Sequence, residues 1–294
     1  MIQNIKTLKK QDFPLDKAIA GNCHLMKPLC HSSHDRDAFY AILNESLDAC
    51  IKKYLPHFGV EQLSVKEKLK NLVRFFLNVK RVSGWSLGTW LKNFRYNFFC
   101  EQVKGNVLEG KYFIINKYCT IVLESKAQLI LNAPFYFGNK RIKGSRLDSR
   151  LLIESGGRME IKYGSYNVAY GADIEVFQNA ILEIGGELGA NIGLTIICAD
   201  HISIGQHTGC GRNVTIRDNN GEHFISIRGY KTSSPVTIKE HVWLTESCTV
   251  MPGAVIEPGA IISARSVVSG HIPAFSIVKG DPAVVVEKNI VWKG

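Results

Sequence analysis

The sequence predicts a stacked β-solenoid preceded by a helical region, and the main observation is a period of six in the C-terminal half. This period fits neither a helix, which repeats at about 3.6 residues, nor a flat strand, which repeats at about two. Apolar residues recur at this spacing at Ile192, Cys198, Ile204, Cys210 and Ile216, and again at Ile238, Leu244, Val250, Ile256, Ile262 and Val268. A second small or apolar residue follows most of them after four positions, at Ile196, Ile202, Thr208, Val214, Val242, Cys248, Ala254, Ala260 and Ser266. Two inward positions in each repeat are typical of coils stacked along one axis.

A break in the period is the other observation. Residues 217–237 cannot fit one coil. We therefore expect them to leave the stack as an extruded loop, and this loop carries His223.

The elements before the solenoid are read as helices. Residues 1–33 show no period, whereas residues 35–55 place apolar side chains at helical spacing, and Pro56 ends that element. Ser64 with Glu67 three residues later predicts a capping box that opens the next helix.

An aromatic and basic segment follows the second helix, with Trp85, Trp90, Phe94, Tyr96, Phe98 and Phe99 beside Lys92 and Arg95. Two roles are open for it: a patch that contacts a membrane surface or a glycan, or a seal between the helical domain and its neighbour.

From about residue 106 the pattern changes to short β-like runs separated by Gly, Asn and Ser, which we interpret as early, less regular coils. The sequence thus predicts two domains, a basic and mostly helical one over 1–105 and a β-helix over 106–290. The end of the chain leaves the period, and we expect it to lie back along the solenoid.

Composition favours a cytoplasmic globular protein. The first residues contain no apolar core of signal-peptide length, and no run of about 18 apolar residues occurs. Three of the eight cysteines occupy repeat positions, where a buried thiol packs like a small hydrophobe.

The net charge of +10 is uneven along the chain. Residues 1–105 carry 17 Lys and Arg against 9 Asp and Glu, residues 106–170 carry 10 against 5, and residues 171–294 carry 9 against 12. The basic part predicts a polyanionic partner, either an acidic polysaccharide or a membrane surface, or it is a solvated cationic face. No nucleic-acid motif accompanies the charge, so we expect no nucleic-acid partner.

The C-terminal motifs resemble those of hexapeptide-repeat acyltransferases. The relevant stretch, residues 236–286, reads VTIKEHVWLTESCTVMPGAVIEPGAIISARSVVSGHIPAFSIVKGDPAVVV. Further upstream, YGADIEVFQNAILEIG and VTIRDNNGEH are similar to the group encoded with bacterial capsule and lipopolysaccharide genes. The resemblance covers about residues 106–290.

The resemblance implies a left-handed parallel β-helix, which is an exception to the usual right-handed crossover. It also implies a homotrimer of prisms with each active site between two subunits. The implied activity is transfer of acetyl from acetyl-coenzyme A to a hydroxyl or an amine.

The resemblance further places the catalytic histidine in the extruded loop. A sugar hydroxyl needs a base within hydrogen-bond reach, and histidine has a suitable pKa. The family string is close to I-R-D-x-D-G-H, whereas here Ile216, Arg217, Asp218, Asn219, Asn220, Gly221 and Glu222 precede His223. His223 is therefore the predicted base, one inserted residue later than in the family. Asp218 either orients the imidazole or caps the loop.

Other histidines are interpreted as corner residues that face solvent. His201 and His207 are six apart, and we expect them to stack on one corner of adjacent coils. His241 and His271 share their phase.

By the same resemblance, Trp243 positions the acceptor or the thioester; alternatively, it covers the prism at a subunit contact. A backbone amide near Thr245 or Glu246 is expected to stabilise the oxyanion. We expect direct transfer without an acyl-enzyme, because no cysteine lies in a recognisable nucleophile motif.

For coenzyme A, the family pattern implies Ala264 and Ser269 along the groove between prisms. Two cations of the family pattern are replaced: Gly270 stands in place of the first, and Val284 and then Glu287 stand where a basic residue often follows P-A-x-V. We expect other cations to meet the phosphates in their place, namely Arg265, Lys279 or Lys288.

Other functions stay open at this point. They are N-acetylation of a nucleotide-linked amino sugar, a metalloenzyme resembling γ-carbonic anhydrases through His201 and His207, and an inactive scaffold. No catalytic metal is expected, because a convincing third ligand is missing. A structural zinc also stays open at the loose cluster of Cys23, His24, Cys30, His31 and His34, although its spacing matches no standard zinc finger.

Overall fold

The computed structural model describes residues 63–84, 86–187, 189–221, 226 and 228–293. The described residues belong to one compact unit that begins at Leu63. The predictions for residues 1–62, among them the helix over 35–55 and the cysteine–histidine cluster, lie outside the described residues, as do those for Trp85 and His223.

Three sheets form the sides of a prism, and the chain visits them in turn. The first sheet contains β1 (Val103–Lys104), β4 (Gln128–Leu131), β7 (Arg158–Ile161), β10 (Ile181–Ile184), β13 (His201–Ile204), β16 (Val236–Ile238), β19 (Val255–Ile256) and β22 (His271–Ile272). The second contains β2 (Phe113–Ile115), β5 (Phe135–Asn139), β8 (Tyr166–Ala169), β11 (Gly189–Ala190), β14 (Gly209–Cys210), β17 (Trp243–Leu244), β20 (Ile261–Ile262), β23 (Ser276–Gly280) and β24 (Ala283–Lys288). The third contains β3 (Cys119–Leu123), β6 (Ser149–Ile153), β9 (Asp173–Val176), β12 (Thr195–Cys198), β15 (Thr215–Arg217), β18 (Thr249–Val250) and β21 (Val267–Val268). The left-handed parallel β-helix with a preceding helical region is confirmed.

The inward positions of the repeat are buried as the period predicts. Cys248 and Val250 on the side of the third sheet are 0% exposed, and so are Ala260 and Ile262 on the side of the second sheet. Small and apolar residues are needed there because side chains from three sheets meet at the axis. Ile192 is the exception: it is half-buried, and the inward residue of that side is Ala190.

The strand register shows that six residues carry the chain along one side of the prism and that three sides make one coil. Trp243 pairs with Ile261, 18 positions later. The prediction that His201 and His207 stack on adjacent coils was therefore wrong, because they lie on successive sides of one coil. The histidine that lies above His207 at the same corner of the next coil is His241. The backbone hydrogen bonds show this stacking, because His207 N donates to Gly186 O of the preceding coil and His241 N donates to Gln206 O.

Two helices precede the solenoid, α1 (Val65–Ser83) and α2 (Leu87–Phe98), with a short 3₁₀ helix (Val107–Glu109) after them. The predicted capping box is present, since Glu67 N donates to Ser64 Oγ and Ser64 N donates to the Glu67 carboxylate. Neither of the two described α-helices combines the length and the apolar character that a membrane crossing requires.

Helix α2 covers the open edge of the second sheet. Asn93 and Asn97 each use the side-chain amide as a strand would: Asn93 bonds both N and O of Ile115 at 2.8 Å, and Asn97 bonds both N and O of Phe113. An uncovered edge strand would expose unpaired backbone groups to other chains. Two roles were open for the aromatic and basic segment. The contacts of α2 with strand β2 support the role of a seal between the helices and the first coil.

The chain closes the other end of the second sheet by turning back. Strand β24 pairs antiparallel with β23, as expected for a C-terminal segment that leaves the period. The division at residue 105/106 stays a prediction.

Candidate functional site

A long open groove of about 820 Å³ runs over the outer face of the second sheet. Three residues in register form its floor, Gly189, Gly209 and Trp243. A Cβ added at Gly189 would meet no atom within 4 Å, and one added at Gly209 would meet Trp243 Cδ1 at 3.9 Å. The two glycines therefore leave the face open beside the indole.

Trp243 is 41% exposed and lines this groove. Trp243 occupies the outward position of strand β17, and the fully buried Leu244 occupies the inward position. A large aromatic side chain on a solvent-facing sheet can contact a ligand or another subunit, and both predicted roles remain compatible with this position.

Trp292 is a neighbour of Trp243 that the sequence did not indicate. Its ring stacks on His241 with centroids 4.0 Å apart and lies 5.7 Å from the Trp243 ring. Trp292 Nε1 donates to His241 O at 3.1 Å, and His241 Nε2 lies 3.0 Å from Trp292 O. The C-terminal segment is thus fastened to the corner that precedes Trp243.

We expect Trp292→Ala to release this segment and to lower stability by about 1 kcal/mol, the usual value of an aromatic pair. Hydrogen exchange of residues 289–293 and Trp243 fluorescence would report the change. Trp292→Phe is the matched control, since it keeps a ring and removes the Nε1 donor. Unchanged exchange in the alanine variant would contradict the fastening role.

One of the two backbone amides proposed for the oxyanion is already used. Thr245 N donates to Ile262 O at 3.0 Å as part of the ladder. Glu246 N makes no such bond among the described residues, and Glu246 lines the groove. Glu246 N is therefore the better of the two candidates.

The residues predicted for coenzyme A do not all lie together in one subunit. Ala264 lines the groove, and the exposed Arg265 follows it at the corner. Lys279 is exposed on β23, the strand next to Ser263 in the same face. Ser269 is exposed beyond β21 in the third sheet and does not line the groove.

Arg212 also lines the groove, and the sequence analysis missed it. It is exposed at the corner after β14, so its guanidinium is available to an anion. The useful signal would have been the Gly211-Arg212-Asn213 stretch at the corner phase of the repeat.

The extruded loop is anchored at its base by Asp218, which is 0% exposed. One carboxylate oxygen accepts from Ala199 N at 2.7 Å and from Asn219 Nδ2 at 3.2 Å. The other accepts from Asp200 N at 2.8 Å and lies 3.7 Å from Cys198 Sγ. The carboxylate thus ties the loop to the corner of the preceding coil.

Further bonds close the loop base. Ser234 N donates to Asp218 O at 2.7 Å, and Asn220 N donates to Thr232 O at 3.1 Å. Asn219 adds a bond from Nδ2 to Ile197 O, and its Oδ1 accepts from Gly221 N. The chain therefore leaves and re-enters the prism at one fixed place.

The loop base and the groove lie on different parts of the prism. Residues 218–235 connect β15 of the third sheet with β16 of the first, whereas the groove lies on the second sheet. The corner between two sides of a triangular prism is opposite the remaining side.

The described histidines carry contacts of their own. The prediction that all four lie at corners was wrong for His201 and His271, which begin strands β13 and β22. His201 Nε2 lies 3.3 Å from Glu183, and His207 Nδ1 lies 3.4 Å from Glu187. Over the described ranges, no group of three His, Cys, Asp or Glu side chains could hold a metal ion.

The cysteines of the solenoid are poor nucleophiles in this environment. Burial raises the pKa of the Cys119 thiol to about 11 and that of Cys248 to about 12. Burial, followed by the nearby Asp218 charge, also raises the pKa of Cys198. Thiols with raised pKa stay protonated at neutral pH, and the thiolate is the reactive form.

The comparisons with known proteins give relatives of one kind. The chain is 28% identical over 140 residues to a putative lipopolysaccharide biosynthesis O-acetyl transferase, WbbJ, from Escherichia coli (strain K12), a match that covers 44% of this chain and 71% of the relative. It is 30% identical over 95 residues to a polysialic acid O-acetyltransferase from Escherichia coli O1:K1 / APEC, covering 31% of each. The crystal structure of the polySia specific acetyltransferase NeuO aligns with a TM-score of 0.45 and 19% identity, covering 65% of this chain and 88% of that one. No family model matches the chain.

Proposed function

We propose, from the premise that this chain is a hexapeptide-repeat acyltransferase like its relatives, that it transfers acetyl from acetyl-coenzyme A to a hydroxyl of an acidic bacterial surface glycan. The observation that carries the proposal is the open groove beside Trp243, built on the repeat motifs that this chain shares with the family. The names of two relatives, a lipopolysaccharide and a polysialic acid O-acetyltransferase, favour a glycan hydroxyl as the acceptor.

His223 is the general base in this proposal. Its neutral imidazole takes the proton of the acceptor hydroxyl while the hydroxyl oxygen attacks the thioester carbonyl. The tetrahedral intermediate then collapses, the carbon–sulfur bond breaks, and the coenzyme A thiolate takes the proton from the imidazolium. Glu246 N donates a hydrogen bond to the oxyanion of the intermediate, where preorganised donors have their largest effect.

Direct transfer fits the state of the described cysteines. Cys119, Cys198, Cys210 and Cys248 are buried with raised pKa values, so none of these four is a ready nucleophile. In this proposal the acetyl group passes directly from coenzyme A to the glycan, without an acyl-enzyme.

The coenzyme lies in the groove of the second sheet. Ala264 gives the groove a small wall, and Arg212, Arg265 and Lys279 are the cations in or beside it. These cations meet the coenzyme phosphates in place of the family cations that Gly270 and Glu287 replace.

We infer a homotrimer with sites between subunits, and the positions of the loop base and the groove support this inference. The loop base is opposite the second sheet of its own prism, so the loop of one subunit reaches the groove of a neighbour more directly than its own. This arrangement would bring His223 of one subunit to Trp243 of the next. We place the protein in the cytoplasm, with a membrane surface or a capsule-assembly complex as a further partner.

Acetyl transfer from labelled acetyl-coenzyme A to acidic capsular polysaccharides tests the proposal. We expect label on at least one polymer and no acetyl mass on the protein in intact mass spectrometry. Transfer to nucleotide-linked amino sugars alone would replace the polymer acceptor by an N-acetylation substrate. No transfer to either class would leave the inactive scaffold as the better account.

A further inference from the structure

A second cleft lies away from the groove, where residues 140–148 leave the stack between β5 and β6. It has a volume of about 750 Å³. Six cations line it, and no carboxylate does: Arg81, Lys117, Lys140, Arg141, Lys143 and Arg146.

None of the six cations is paired with a carboxylate among the described residues; the described ion pairs involve Lys111, Arg150, Arg158, Lys162, His201, His207 and His271 instead. Like charges gathered in a cleft concentrate the positive potential and attract anions. A solvated cationic face would spread its charges and mix both signs, so the arrangement favours a binding role.

Arg141 gives the cleft a fixed anion-binding group. Its guanidinium lies 5.2 Å from the ring centroids of both Tyr118 and Tyr170. Arg141 Nη1 donates to the carbonyls of Ser145 and Leu147, which hold the side chain in place. Arg141 Nε and Nη2 are buried and have no hydrogen-bond partner.

The unpartnered pair of donors points to a carboxylate or a similar planar anion. Nε and Nη2 form one edge of the guanidinium, and this edge binds both oxygens of a carboxylate side-on. A buried donor without an acceptor is costly, so a ligand that supplies two acceptors gains that free energy on binding.

The cleft adjoins the face that carries the groove. Arg81 lies 5.8 Å over the ring of Tyr136 on β5. The outward column of the second sheet runs in register from there: Tyr136, Asn167, Gly189, Gly209 and Trp243. Four steps at about 4.8 Å each separate Tyr136 from Trp243 by about 19 Å.

We propose that this basic cleft is an acceptor subsite that binds carboxylates of an acidic glycan chain while another part of the same chain reacts beside Trp243. The inference rests on the proposed function. A disaccharide is too short to reach from the cleft to the groove, whereas an oligosaccharide of several units can span it. Tyr118 is 39% exposed, and its ring contacts two of the cleft cations, Lys117 at 4.9 Å and Arg141 at 5.2 Å from the ring centroid.

Binding without any acetyl donor tests the cleft directly. The probes are polysialic acid, polygalacturonate, uncharged dextran and phosphatidylglycerol vesicles, titrated against the full chain. We expect salt-dependent binding of at least one carboxylated polymer and none of dextran. Binding of the vesicles in preference to both carboxylated polymers, or no binding of either polymer at low salt, would overturn the proposal.

Charge reversal locates the site. We expect Lys143→Glu with Arg146→Glu to weaken polymer binding about tenfold or more. The matched control is Lys104→Glu with Lys126→Glu, which changes the charge by the same amount. Lys104 is exposed on β1, and Lys126 is exposed in the turn before β4. Arg141→Lys keeps the charge and loses the fork, and we expect it to weaken binding too. Equal weakening by both charge-reversal pairs would mean unspecific attraction and would contradict a defined subsite.

Acetyl transfer separates failure of the subsite from failure of the proposed function. The cleft variant should raise KM for the polymer and leave kcat and KM for acetyl-coenzyme A unchanged. If the wild-type protein binds the polymer but transfers no acetyl, and the cleft variant loses this binding, the subsite is retained and the proposed activity is refuted. Transfer with an unchanged polymer KM would retain the activity and refute the subsite.

Discussion

His223→Ala should lower kcat for acetyl transfer by about 10²-fold or more, the usual scale for removing a general base. The effect should appear in kcat and kcat/KM together, because the imidazole acts on the proton in flight and not on ground-state binding. Steady-state kinetics with labelled acetyl-coenzyme A measures it.

The matched control for this variant is His201→Ala. His201 lies in the first sheet and contacts Glu183 at 3.3 Å, so its removal deletes an exposed imidazole with no part in the reaction. We expect near-normal kcat in the control. Full activity in His223→Ala would mean that the inserted Glu222 shifts the register of the loop and that another group is the base.

The repeat could be predicted from the sequence because each coil imposes the same local requirement on its inward positions. Inward positions such as Cys248 and Val250 must be small or apolar in every coil, so the period survives without any knowledge of long-range contacts. The break in the period was visible for the same reason, but its predicted bounds of 217–237 were too wide. Arg217 still belongs to β15 and Val236–Ile238 form β16, so the connection spans residues 218–235.

The placement of histidines was harder, because a period gives the phase and not the coil. His201 and His207 share a phase but lie on successive sides, whereas His207 and His241 follow one another at one corner. His207 and His241 both have φ of 56°, and histidine is among the residues that tolerate this left-handed conformation. Counting three sides to a coil would have given the right pairs.

Two parts of the structure carry no periodic signal at all. Trp292 lies beyond the repeat, and its stack on His241 depends on how the C-terminal segment returns along the prism. The basic cleft arises from a loop whose cations face one another only after β5 and β6 have paired with their neighbours. The concentration of Lys and Arg in residues 139–147 was visible in the sequence, but its convergence on Tyr118 was not.

Asp218→Ala should impair both the stability of the loop base and the activity. The substitution removes the carboxylate that accepts from the amides of Ala199 and Asp200, and a hydrogen bond to a charged group contributes about 1.5–3 kcal/mol. The loop that carries His223 would then lose its fixed origin. A misplacement of about 1 Å can cost about 10²-fold in rate, so we expect kcat to fall at least tenfold at temperatures where the prism is intact.

The variants at this position also decide between the two roles predicted for Asp218. A carboxylate offers about four lone-pair sites, and Asp218 already meets four described donors: Ala199 N, Asp200 N, Asn219 Nδ2 and Cys198 Sγ. No acceptor site remains for an imidazole, so we expect Asp218 to act by holding the loop base. Asp218→Asn keeps one oxygen acceptor in the same place and should retain more activity than the alanine variant. Asp200→Ala, which removes an exposed neighbouring carboxylate and keeps its backbone amide, should behave like wild type. Hydrogen exchange of the Ala199 and Asp200 amides should rise in proportion to the loss of activity. If the asparagine and alanine variants lose activity equally and the exchange is unchanged, Asp218 instead orients the imidazole of His223.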